Sequence, residues 1–311
     1  MRVVSLGSSS SGNAFLVEAG PKGRTKLLVD AGFSERILRE RLRLAGASLS
    51  QIQGVLITHE HVDHILGLPA LLKHHAIPAI ADPRTLAAVE EIFAAGMLRT
   101  ESGALVSLEA EIDTSLAGMD GVNEDRQHDQ SKHSLHLESG SRRVIGDIEV
   151  ISFPVSHDAA APCGYLLSAG GCRVCVAIDS GEVTPTMLEA IKQADLLILE
   201  SNHDRDRLLR GPYPYALKQR ILSPTGHLSN DQAAEAVLRT WRTDGVRWLW
   251  LSHLSRTNNT PRLALSSMRA RIKAAGADLA QIHISVLPPG MGSAWDSTQL
   301  WHASSLWEMT I

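Results

Sequence analysis

Residues 58–64 read THEHVDH, placing three histidines, a glutamate and an aspartate in seven positions. The apolar run GVLI (54–57) leads into them, and ILGLPALLKHH (65–75) follows. An apolar strand aimed at a polar cluster, with a helix leaving it, is more than a solvated loop requires. Three other apolar runs end in the same way: ISFPVSHD (151–158) on His157, VCVAIDSG (174–181) on Asp179, and LWLSHLS (249–255) on His253. Strand ends along one rim of a sheet can converge on a point. His59, His61, Asp63, His64, His157, Asp179 and His253 together offer five imidazoles and two carboxylates. That is enough for two divalent first-row cations with an open position between them. One histidine at a strand end is ordinarily structural; seven ligand-type side chains at four strand ends point to metal.

The rest of the chain supplies the frame. RVVSLG (2–7), AFLVEAG (14–20) and KLLVDAG (26–32) read as successive antiparallel strands with turn punctuation. SERILRERLRLAG (34–46) has helical spacing between Ser34 as N-cap and Gly46 as stop, and the segment 83–96 reads as a helix from Pro83 to Gly96. A second block of strands begins at IEVISFP (148–154) and continues through DLLILES (195–201), RWLWLSH (247–253) and QIHISVL (281–287), with helices between. Two strand blocks, each with its own helices, predict an α/β protein built as an αβ/βα four-layer sandwich. The expected domain spans 1–292. Within it, 110–143 is polar, acidic and aperiodic and reads as a surface insertion whose His128, His133 and His136 are solvated. Residues 293–311 form a tail with Trp295, Trp301 and Trp307 at six-residue spacing, read as a docking or self-association segment.

Composition narrows the class. A hydrophobic content of 44% and a formal net charge of −4 over 311 residues describe an ordinary globular protein. No secretory pattern opens the sequence, and no apolar stretch approaches the roughly 20 residues of a membrane span. Cys163, Cys172 and Cys175 are an odd, sparse set that suits a reducing cytoplasm. Cys172 and Cys175 lie within an apolar run with no second such pair, so they read as strand residues rather than half of a zinc site. Charge is uneven: residues 1–155 hold 15 basic and 20 acidic side chains, whereas 201–276 hold 13 and 5, an excess of +8. A local basic excess in an acidic chain fits an anionic substrate as well as it fits solvated helix faces.

The HxHxDH motif followed by isolated His, Asp and His resembles the metallo-β-lactamase fold superfamily, in its dinuclear hydrolase branch. The likeness covers nearly the whole chain outside the insertion and the tail. It implies that His59, His61 and His157 hold one cation, that Asp63, His64 and His253 hold the other, and that Asp179 bridges them. Asp30, in LLVDAG, matches an aspartate that braces the HxHxDH loop. The metals, zinc or manganese, would generate a bridging hydroxide near neutral pH. Export-signal and cysteine-ligand patterns of the secreted β-lactamases are missing, as is room for the C-terminal helical domain of glyoxalase II-type thioesterases. Phosphodiesters are therefore the favoured substrate class.

Seven segments, among them SLGSSSSGNAFLV, ITHEHVDHILGL, ESNHDRDRLLRGPYPYALKQRI, GHLSN and LSHLSRTNNTP, are similar to the YycJ (WalJ)-type hydrolases, assigned as DNA exonucleases. The expected partner is accordingly nucleic acid or another phosphodiester. Candidate substrate contacts are Asn13 in the SSSSGN loop (equally a hairpin turn), Asn202, Lys218 and Arg220, the last two as phosphate clamps. Besides Asp63 at the metals, His227 and, as second choice, His203 are candidates to protonate the leaving oxygen. Two rival readings remain: a thioester, lactone or small-phosphodiester hydrolase on the same metals, and a non-catalytic metal-binding regulator.

Overall fold

The computed structural model describes residues 1–99, 105–107 and 134–300. Strands β1 (Arg2–Ser9), β2 (Gly12–Ala19) and β3 (Thr25–Val29) form an antiparallel meander. Strands β4 (Gly54–Leu56) and β5 (Ala79–Ala81) extend it in parallel. Helix α1 (Glu35–Leu44) connects β3 to β4, helices α2 (Val62–Ile65) and α3 (Leu68–His75) connect β4 to β5, and α4 (Pro83–Ala95) follows β5. The sequence signals at α4 hold in detail. Asp82 accepts from the Arg84 N–H, Pro83 starts the first turn, and Gly96 ends the helix in the left-handed region at φ 65°. A small hairpin, β6 (Met97–Arg99) with β7 (Leu105–Ser107), lies apart from both large sheets.

The second sheet starts with β9 (Arg142–Ile145), β10 (Ile148–Pro154), β11 (Cys163–Ala169) and β12 (Cys172–Ala177), all antiparallel. Strands β13 (Leu196–Glu200), β14 (Arg247–Ser252) and β15 (Ile282–Val286) then add in parallel. Parallel neighbours need crossovers. These are α5 (Pro185–Gln193), the run α6 (Arg205–Arg210), α7 (Tyr215–Ile221) and α8 (Asn230–Arg239), and α9 (Pro261–Ala274).

Strict alternation makes each strand serve two interiors. Leu27, Val29 and Leu56 of the first sheet meet Val174, Val176, Leu196 and Ile198 of the second in a central apolar seam. Their alternate neighbours face outward. Leu28 and Val55 pack beneath Leu38, Leu42, Leu68 and Leu71, while Cys175, Leu197 and Leu199 pack beneath Met187, Ile191, Val237 and Met268. The result is the four-layer αβ/βα sandwich expected from the strand blocks. All three cysteines are free and buried. No helix among the described residues is long and apolar enough to cross a membrane.

Two boundaries differ from the sequence reading. The insertion assigned to 110–143 ends earlier. Ser134–His136 form β8, a parallel edge strand on β5, and a turn leads into β9. His136 is exposed there, while His128 and His133 lie outside the described residues. Periodicity missed β8 because an edge strand of three residues buries little. The tail read as starting at 293 opens with β16 (Ala294–Asp296), antiparallel to β1. Trp295 is therefore a core residue, 1% exposed, and not a docking side chain. Trp301 and Trp307 lie outside the described residues. Trp295→Ala should cost about 3–5 kcal/mol of stability by denaturant unfolding. Truncating Leu44, which is 57% exposed, should change it by no more than about 0.5 kcal/mol.

Candidate metal centre

The four strand ends meet at one rim of the sandwich. Strand β4 delivers residues 58–64, β10 delivers His157, β12 delivers Asp179 and β14 delivers His253. Five non-glycine residues among those described have positive φ, and three of them, Asp30 (60°), Asp179 (56°) and His253 (51°), lie one or two residues past strand ends at this rim. A left-handed residue there turns the side chain back across the sheet end, at a local cost of about 1–3 kcal/mol. Close backbone approach completes the frame: a β-carbon on Gly32 would stand 1.7 Å from the Asp63 carbonyl oxygen.

The side chains fall into two adjoining groups. His59, His61 and His157 bring ring nitrogens within 4.8 Å of one another, and so do the ligand atoms of Asp63, His64, Asp179 and His253. Asp179 lies between the groups, with Oδ2 2.7 Å from His64 Nε2 and 3.7 Å from His59 Nε2. His253 Nε2 stands 3.2 Å from Asp63 Oδ2, and its Nδ1 3.1 Å from Asp179 Oδ1. The polar atoms are close yet poorly matched as hydrogen bonds. His59 Nε2 and both Asp179 oxygens are buried and make no hydrogen bond of good geometry among the described residues. Lone pairs aimed at a shared point and not at each other fit a bound cation. A third group, Asp179, Glu200, His227 and His253, overlaps the second.

Electrostatics agree with that fit. Burial, then the neighbouring rings of His64 and His61, hold His59 well below the usual imidazole range, and burial lowers His157 to about 4. Both rings are neutral at pH 7, the form that binds metal. Burial alone would raise Asp63 and Asp179, but the His64 and His253 rings outweigh it and hold both carboxylates well below their usual range. Conversely, burial would lower His64 and His253. For His64 the carboxylates of Asp63, Asp30 and Asp179 outweigh it and push the ring well above its usual value. For His253 the Asp179 charge and hydrogen bonds to Asp63 and Glu200 raise it to about 10.

Asp30 is where the sequence placed it. Its carboxylate accepts from the Thr58 N–H at 2.9 Å and the Thr58 hydroxyl at 3.0 Å, and lies 2.7 Å from His64 Nδ1. This leaves His64 Nε2 for the cluster.

The substrate-side expectations fare differently. Asn13 is fully buried behind the ligands, its amide 3.2 Å from His64 Nε2 and 3.4 Å from Asp63 Oδ2. Asn202 is buried too, and its amide donates to the His253 carbonyl. Both amides are therefore engaged within the cluster, Asn13 at His64 and Asp63 and Asn202 at His253. The Lys218 ammonium donates to the Leu209 and Gly211 carbonyls, which uses two of its three hydrogens within the protein. Arg220 does lie at the rim. Its Nε donates to Asp158 Oδ2 at 2.6 Å, and Asp158 Oδ1 is 3.5 Å from His157 Nε2. His227 Nδ1 donates to Glu200 Oε1 at 2.7 Å beside Asp179, whereas burial lowers His203 to about 4 and neither of its ring nitrogens has a hydrogen-bond partner among the described residues. A ring lowered that far is already neutral at pH 7 and has no extra proton to give a leaving oxygen. Glu200 and Asp158 were missed. LLILE (196–200) carries the same signal as the other runs, apolar residues ending on an acid; Asp158 directly follows a ligand.

Residues 25–253 match the family described as the Beta-lactamase superfamily domain. The chain is 34% identical over 263 residues to exodeoxyribonuclease YycJ of Bacillus anthracis, covering 85% of this chain and 86% of that protein. The chain belongs to the YycJ/WalJ family of the metallo-β-lactamase superfamily. A second member of that family, exodeoxyribonuclease WalJ of Streptococcus pneumoniae strain D39, is 35% identical, covering 85% of each chain. The metallo-β-lactamase fold protein YhfI from Bacillus subtilis superposes with a TM-score of 0.61 at 16% identity, covering 95% of this chain and 99% of that one, a likeness of fold. The superfamily is one of metal-dependent hydrolases, and the His/Asp groups above are where this chain would hold the metal.

Two outcomes test the centre. Asp30→Ala leaves Thr58 and His64 without their acceptor, so metal affinity should fall about 10- to 100-fold in competition with a chelator. Since His64 and His253 hold protons before a cation enters, binding must expel them. Affinity should therefore fall about tenfold per unit of pH lowered, for each proton displaced, between pH 8 and 6. Calorimetric titration in buffers of different ionisation enthalpy counts those protons; an affinity independent of pH would refute this account of the site.

Proposed function

We propose that this protein is a phosphodiesterase of nucleic-acid ends, an exodeoxyribonuclease in the sense of its named relatives, holding two divalent cations, zinc or manganese. His59, His61 and His157 form one site, Asp63, His64 and His253 the other, and Asp179 is shared. The observation that carries the reading is the pair of adjoining ligand groups about Asp179, with the His227–Glu200 pair beside it. Two cations so placed, when bound, supply an acidified water as nucleophile and polarise the phosphoryl oxygens.

The chain's own residues do the rest. Asp179 and Asp63, kept ionised, fix the negative charge that holds the cations together, and Asn13 and Asn202 keep the second group in place. Glu200, whose carboxyl the His227 ring holds low against the opposing effect of burial, accepts from His227 Nδ1. That orients the ring so that Nε2 can carry a proton to the leaving oxygen, a contribution of about 10²–10⁴ in rate. The three buried, free cysteines suit a cytoplasmic, reducing setting.

The test is turnover of end-labelled DNA and of bis(p-nitrophenyl) phosphate by protein loaded with Zn²⁺ or Mn²⁺. Asp63→Ala should abolish both without unfolding the chain. His227→Gln should slow DNA hydrolysis about 100-fold or more, yet act far less on the nitrophenyl ester, whose leaving group needs no proton. Cleavage of neither substrate at full metal occupancy, with turnover of thioesters instead, would replace this reading with an acyl hydrolase.

A further inference from the structure

Outside the metal centre, the surface beside it carries an exposed ring. Tyr215, the first residue of α7, is 77% exposed, more than any other large hydrophobic side chain among the described residues, and Leu209 nearby is 40% exposed. Single exposed apolar residues are ordinary on a protein surface. This one differs in how it is held and in what surrounds it.

The segment 211–215 reads Gly-Pro-Tyr-Pro-Tyr, with two prolines that limit its backbone freedom. Lys218, one turn along α7, donates to the carbonyls of Leu209 and Gly211 at 2.8 and 2.7 Å and so ties α7 to the end of α6. Arg207 Nε donates to the Thr257 carbonyl at 3.0 Å, which joins α6 to the loop after His253. The ring therefore stands on a braced platform. At its other end α7 runs into the centre. The Ile221 carbonyl accepts from the His227 N–H at 3.0 Å, and Arg220 bonds Asp158 beside His157. From Arg220 back to Tyr215 is five residues, about 7.5 Å along a helix axis.

Charge completes the description. Residues 201–220 hold five basic side chains against two acidic ones, and Arg205, Arg207, Arg210 and, across the loop, Arg256 are exposed. A flat aromatic face within a cationic surface, on a helix whose far end reaches Asp158 beside His157, matches a polyanion that carries its own flat faces. A peptide or a small ester offers no such repeat. We infer that the α6–α7 surface holds an unpaired stretch of nucleic-acid strand next to the metal centre, with Tyr215 stacking on a base and the α6 arginines tracking the phosphates. This rests on the nucleic-acid reading above and names the form of the substrate, single-stranded at the point of contact.

The test uses the metal-loaded full chain and a fluorescein-labelled 15-nucleotide oligothymidylate with hydrolysis-resistant phosphorothioate linkages, measured by anisotropy. Tyr215→Ala should weaken binding about tenfold and Tyr215→Phe should restore it, since the ring and not the hydroxyl makes the stack. Arg210→Gln should lower the salt slope of binding by about one. Equal affinity for Tyr215→Ala and wild type, equal loss in the Ala and Phe variants, or an equal loss on a blunt duplex whose base faces are covered would each overturn the inference. If wild type hydrolyses bis(p-nitrophenyl) phosphate but binds neither oligonucleotide nor duplex, the nucleic-acid reading itself has failed, a result distinct from an unchanged Tyr215 variant.

Discussion

Two ionised carboxylates, Asp63 and Asp179, sit at the end of an apolar seam where an uncompensated charge would cost several kcal/mol. Much of the rim architecture answers that constraint. The rings of His64 and His253 supply the balancing positive charge until a cation replaces it, and Asp30 and Asn202 hold those rings in orientation. A fold that left either carboxylate in water would not need the strained turns at Asp179 and His253. Here the strain is tolerated because the surrounding strands, locked in register on both sides, over-determine the backbone.

The two sheets are also joined directly at that same place. The Cys163 N–H of β11 donates to the Thr58 carbonyl, and the buried Tyr165 hydroxyl donates to the Ile57 carbonyl at 2.7 Å. Ligands from β4 and ligands from β10, β12 and β14 therefore belong to one rigid rim and not to two facing halves. That rigidity suits a bound metal, whose reactivity depends on the fixed geometry of the side chains around it.

The fold was legible because alternation along strands and capping along helices are local signals, and the ligand cluster because an apolar run ending in His or Asp is one too. Direction was not legible. Asn13, Asn202 and Lys218 have the right chemistry for substrate, but only the tertiary structure shows that their amides and ammonium are already engaged by His64, by His253 and by the carbonyls of Leu209 and Gly211. Glu200 shows the opposite case: its run carries the same signal as the others, but it ends on a glutamate where the other runs end on His or Asp. Trp295 misled because six-residue spacing of tryptophans looks like a surface pattern, whereas pairing between β16 and β1 is a contact across nearly the whole chain.

That pairing orders events during synthesis. Strand β1 is made before both of its partners, and β2 covers one of its edges at once, but the other edge has no partner until residues 294–296 emerge, almost 300 residues later. Throughout translation the growing protein therefore presents an open, apolar strand edge, the kind that recruits a neighbouring chain. Completion of the first sheet, which carries the HxHxDH loop, waits for one of the last described segments to arrive.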